Sequence, residues 1–173
     1  IRQETIQVKK LREVHLGSHI RMIFENKQTV QYQIQEMLRI EKIFESSEIQ
    51  DELDVYNALV PNGSNLKATM MIEYPDVAER VEALSRLIGV EKSIYFQVDG
   101  HDKVFPICNE DLERETDVKT SAVHFMRFEF DQNMIADFVS GSDVKVGSAH
   151  PNYDYETSLD SQSQEALSED FNS

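Results

Sequence analysis

Residues 93–108, SIYFQVDGHDKVFPIC, constrain the fold more than any other stretch of this chain. An apolar run (93–98) meets Asp99-Gly100, and a second run follows at 103–108. Asp-Gly suits a type I′ turn, whose twist matches that of two antiparallel strands. Pro106 has no N–H to give to a ladder, so the second strand belongs at a sheet edge or a bulge. The chain therefore contains antiparallel sheet, and its other segments must complete it.

They alternate in period. Residues 4–14 read as a helix ended by Gly17, and 19–26 as a strand with Ile20, Met22 and Phe24 on one face. Helices follow at 29–45, with Thr29 as N-cap, and at about 48–59, with Ser47 as cap. PNGS (61–64) is a turn, 67–74 a strand, and Pro75-Asp76 opens a helix whose Val77, Val81, Leu84 and Ile88 recur at helical spacing before Gly89. A long strand covers 121–130, a helix 131–141 and a last strand 143–148. Strands that come both as hairpins and split by helices predict one α+β domain over residues 1–150. Its mainly antiparallel sheet of about five to six strands packs against about three to four helices.

Charge separates the rest. Residues 151–173 hold six acidic side chains (Asp154, Glu156, Asp160, Glu165, Glu169, Asp170) and no Lys or Arg. Rich in Ser, Gln and Asn, this stretch is expected to be a disordered acidic tail, because it offers little apolar surface to offset its ordering entropy. The formal charge of −15 excludes nonspecific nucleic-acid binding, which needs a basic surface, and disfavours anionic membranes. No apolar run reaches membrane-spanning length. The chain opens at Ile1, so N-terminal residues are expected to be missing, and a targeting segment would have gone with them. The single cysteine, Cys108, forbids an internal disulfide and fits a cytoplasmic protein. An edge strand at Pro106 or a leftover apolar helix face would suit a homodimer.

Several polar residues fall where apolar ones belong. In helix 29–45, Gln33 and Glu41 lie inside the arc of Val30, Ile34, Met37, Leu38, Ile40 and Phe44. In the next helix Glu52 lies between Tyr56 and Leu59. Strand alternation puts His124 with Ala122, Met126, Phe128 and Phe130, and Glu73 with Thr69 and Met71. A buried carboxylate is costly unless paired, protonated or metal-bound. These positions predict a polar pocket of Gln33, Glu41, Glu52, Glu73 and His124. Glu41, Glu52 and His124 in particular form a ligand set for a divalent metal, or the parts for acid–base work. The competing reading pairs each Glu with Arg39, Lys67 or Arg127 and leaves His124 a hydrogen-bonded core residue. No nucleotide loop, nucleophile elbow or His-Glu-x-x-His helix is present.

Four stretches, LGSHIRMIFENKQTVQYQIQEMLRIEKIF, IQDELDVYNALVPNGSNLKATMMIEYPD, EDLERETDVKTSAVHFMRFEF and AHPNY, resemble a bacterial family known as domain of unknown function 3501. They span about residues 16 to 153. The resemblance implies no catalytic residues. It implies a small cytoplasmic protein encoded near rubrerythrin-like and cysteine-rich iron–sulfur proteins, hence an accessory protein with an iron–sulfur or rubrerythrin-type redox partner. With one cysteine the chain itself cannot supply four thiolates to a cluster. Two functions stay open: that accessory role, and a small metal- or ligand-binding protein or enzyme built on the inward polar cluster.

Overall fold

In the computed structural model the described residues are 2–42, 45–110, 114, 116 and 118–172, with backbone alone at Thr5, Glu52, Val55 and Asn172. In chain order the elements are α1 (Arg2–Leu11), β1 (Glu13–Leu16), β2 (Ile20–Glu25), α2 (Lys27–Glu41), α3 (Ser46–Asn57), β3 (Asn65–Ile72) and α4 (Val77–Arg86). Then come β4 (Ile94–Val98), β5 (Ile107–Cys108), β6 (Val123–Glu129), α5 (Gln132–Ser140), β7 (Val144–His150), β8 (Tyr153–Ser158) and α6 (Ser161–Ser168). The strands form two antiparallel sheets, ordered β1-β2-β3-β6-β5 and β4-β7-β8. The α+β class and the antiparallel pairing follow the sequence expectation, with the strands divided between two sheets.

Alternation explains why the sheets face each other. Leu66, Ala68, Met70 and Ile72 of β3 are buried, as are His124, Met126 and Phe128 of β6, while Lys67, Thr69, Phe125 and Arg127 point the other way and are half-buried. From the smaller sheet, Ile94, Phe96, Val98, Val144 and Val146 complete the interior. Phe96 sits edge-on to Phe24 at 5.5 Å and to Phe128 at 4.9 Å, the offset geometry that aromatic quadrupoles favour. The hairpin signal at Asp99-Gly100 holds only as one bridge, Phe96 to Val104; beyond Pro106 the chain crosses to the larger sheet as its edge strand β5.

Three local expectations change. Gly17 ends no helix: α1 stops at Leu11, and Gly17, at φ +65°, turns the β1–β2 hairpin. A Cβ there would lie 2.6 Å from the Tyr153 hydroxyl. The cap of α2 is Asn26, whose side chain accepts from the Thr29 N–H while the Thr29 hydroxyl accepts from the Asn26 N–H. Glu45, not Ser47, precedes α3 and makes no side-chain cap bond.

Residues 151–172, expected to be a disordered acidic tail, instead carry a strand and a helix. β8 pairs along β7 from Lys145↔Ser158 to His150↔Tyr153, and α6 follows with Asp160 as its N-cap. The few apolar residues are the ones that pack: Tyr153 and Leu167 are buried, and Phe171 contacts Phe130 at 5.4 Å and Phe138 at 5.2 Å. Asp170 pairs with buried Arg12, which also donates to the carbonyls of Phe24 and Ala166. Mean composition understated this segment because its anchors are sparse but evenly placed.

Candidate functional site

Among the described residues of the expected pocket, Gln33, Glu41, Glu73 and His124 do not meet. His124 lies on the inner face of the larger sheet, opposite Met70 in register. Glu73, just beyond β3, falls on the outer face, exposed, with Arg21 donating to both its oxygens at 3.1 and 3.0 Å. Glu41 is exposed at the last residue of α2. That helix buries fully only Thr29, Val30 and Ile34; Met37 and Leu38 are half-buried, and Ile40 is 64 % exposed, so its second half meets no closed interior. Glu52 is placed on α3, and its side chain lies outside the described residues. Gln33 is half-buried on α2, against the outer face. Among the described residues no three His, Cys, Asp or Glu side chains could hold a metal ion together.

His124 has other partners. Asn109, in the left-handed region at φ +52°, extends the β5–β6 pairing through its N–H to the Phe125 carbonyl at 2.8 Å. Its side-chain oxygen accepts from the Phe125 N–H at 3.0 Å, which fixes the amide orientation and directs its nitrogen to His124 Nδ1 at 2.8 Å. Nδ1 is therefore an acceptor, and the network assigns the proton to Nε2, 2.9 Å from the Ser121 carbonyl and from the Thr120 hydroxyl. Buried Glu91, from the 3-10 turn Val90–Ser93, brings an oxygen to 3.9 Å of Nε2, and Cys108 Sγ donates to its carbonyl at 3.5 Å. Both ring nitrogens are engaged, so the imidazole ties the β5 edge to the strand start of β6.

The other side of the same strands holds a cavity of about 300 Å³ between the α2–α3 hairpin and the outer sheet face. Gln33 and Tyr56 line it from the helices and Leu59 from the turn after α3; Lys67, Phe125 and Arg127 line it from β3 and β6, and Ile107, Glu110 and Arg114 close one end. Lys67 and Arg127 are direct cross-strand partners. Lys67 Nζ donates to the Ala58 carbonyl at 2.7 Å, just past the end of α3. Burial, aided by the Arg127 charge, pushes the Lys67 pKa down from the usual lysine range. Arg127 forks onto Glu110 at 2.9 and 3.0 Å and also reaches Glu129. Those bonds, Glu110's first, raise Arg127 further, and Arg127's hydrogen bond holds the Glu110 carboxyl below its ordinary value. The Arg114 guanidinium lies 4.7 Å over the Phe125 ring.

A chain of net charge −15 thus gathers three cations around one partly aromatic hollow. Of the inward polar groups expected from sequence, Gln33 alone among the described side chains belongs to it. Phe125 and Arg127 were legible as the face of β6 opposite His124, but nothing in their alternation says that helices cover that face.

A crystal structure of a novel protein of unknown function from Burkholderia pseudomallei K96243 is similar at 46 % identity and a TM-score of 0.92, covering 98 % of this chain and 88 % of that one. Comparison with curated proteins finds no match. The family model described as "Protein of unknown function (DUF3501)" matches residues 1–171.

Proposed function

The chain belongs to the DUF3501 family, and from that premise we propose that it is a small-molecule-binding protein whose site is the cavity between the α2–α3 hairpin and the outer sheet face. The observation that carries this reading is the lining itself: an apolar floor of Phe125, Ile107 and Leu59 with a few convergent polar groups, Gln33, Lys67 and Arg127. That mixture is what ligand sites use, apolar walls for affinity and sparse polar groups for orientation. The volume is at the small end of such sites, which suits a metabolite of one or two rings. A ligand-observed NMR fragment screen tests it, run on the wild type and on Gln33→Trp, whose added ring fills the hollow. Hits that bind the wild type and are lost in the variant are expected. Hits that bind both equally would place the binding elsewhere on the molecule.

The metal-binding reading of Glu41, Glu52 and His124 gains no support from where Glu41 and His124 lie. The accessory-protein reading, with an iron–sulfur or rubrerythrin-type partner, has one specific observation in its favour beyond the family resemblance. A −15 chain presents an acidic surface suited to steering a basic partner. Mild co-purification from the native host, repeated at raised ionic strength, tests it. A redox protein recovered at low salt and released at high salt is expected; no such protein at either salt would remove the reading.

A further inference from the structure

Resting on the cavity reading, we infer that the ligand is an organic monoanion: a carboxylate, or a comparable singly charged head, joined to an apolar ring-sized body. The head's partner is Lys67. Among the described residues it makes no ion pair, and its ammonium donates to a neutral backbone oxygen, Ala58 O at 2.7 Å, leaving two of its three N–H groups for a ligand. The neighbouring cation differs: Arg127 already holds Glu110 on its fork and Glu129 on its remaining nitrogen. Lys67 and Arg127 are opposed across the β3–β6 ladder, and among the described residues the carboxylates of Glu110 and Glu129 pair with Arg127 and make no ion pair with Lys67. An anionic head in direct contact with Lys67 supports the protonated amine, which burial disfavours.

The body is set by the rest of the wall. Phe125 presents a ring already covered on one side by Arg114, and Ile107, an apolar residue 43 % exposed, borders the same space with Leu59. A flat apolar group placed there removes that surface from water. Glu110 at the rim limits the charge of the head: a dianion such as a phosphate monoester would bring its second charge towards this carboxylate. Ligand cations are excluded by Lys67, Arg114 and Arg127 together.

The test is calorimetry on the full chain with naphthoate and its neutral isostere naphthamide, alongside methyl NMR of Leu59 and Ile107, which border the cavity. A charge-assisted hydrogen bond should make the acid bind about tenfold or more tighter than the amide. In Lys67→Met the acid's affinity should fall by more than the amide's, closing the gap between the two. Equal binding of acid and amide to the wild type, with both methyl groups shifting, would overturn the anion assignment and keep the cavity. If neither compound binds and the methyl groups stay still, the cavity reading falls and this inference with it. The wild-type ratio decides the question even if Lys67→Met does not fold.

Discussion

At the scale of single residues, two buried polar groups show how much depends on their partners. His124 is wholly buried, and its ring joins Asn109 on one side to Ser121 and Thr120 on the other. His124→Ala removes the ring and leaves the Asn109 amide and the Ser121 carbonyl without it, which should cost roughly 2–4 kcal/mol in urea unfolding. A loss below about 1 kcal/mol would mean that the network is not structural. Asp170 behaves differently. Its burial outweighs the attraction of Arg12 and lifts its pKa to about 6. A carboxyl whose folded pKa is raised adds stability at pH below its unfolded value, and that contribution is lost as pH rises through 6. Asp170→Asn should therefore gain on the wild type between pH 4 and pH 8, by up to about 3 kcal/mol. The check is the difference between the two unfolding free energies across that range; a constant difference would contradict it. Sequence pattern placed His124 in the core correctly but could not name Asn109, whose role depends on a left-handed backbone that only the folded edge strand creates.

At the scale of elements, the periodic segments were readable and the sparse ones were not. β2, β3 and β6 alternate cleanly, so their inner rows could be listed from the sequence with bounds close to those observed. The α4 stripe misled in part: Val77 and Val81 are 65 % and 64 % exposed, and Ala83 with Leu87 makes the buried contact. β8 and α6 escaped because they sit in acidic, serine-rich sequence, where four anchors, Tyr153, Leu159, Leu167 and Phe171, do the packing. Tyr153 is the chief of these. Its hydroxyl donates to the Leu16 carbonyl and accepts from the N–H groups of His19 and Ile20, so it clamps the β1–β2 turn onto β8. Tyr153→Phe deletes all three bonds and should cost about 1–3 kcal/mol, measured by chemical denaturation. It should also speed hydrogen exchange at His19 and Ile20, whose amides donate to that hydroxyl. Unchanged exchange there would argue that the turn is held by other means.

At the scale of the whole molecule, the two faces of the larger sheet divide the labour. The inner face meets the smaller sheet through Phe24, Phe96 and Phe128 and makes the core. The outer face carries Lys67, Thr69, Phe125 and Arg127, half-buried beneath α2 and α3, and there the cavity forms. Charges in an apolar stripe are conspicuous in sequence, and they point the expected pocket to the inner side. A half-polar row covered by a helix hairpin looks in sequence like an ordinary solvated face. Only the tertiary placement of α3 over β3 and β6 turns it into a site. The central claim is that this space receives a small organic anion, and a crystal of the full chain soaked with naphthoate tests it most directly. Density for the ring against Phe125, with the carboxylate within about 3 Å of Lys67 Nζ, is the expected result. A well-ordered crystal whose cavity shows no ligand at saturating concentration, or whose ligand lies on another surface, would contradict it.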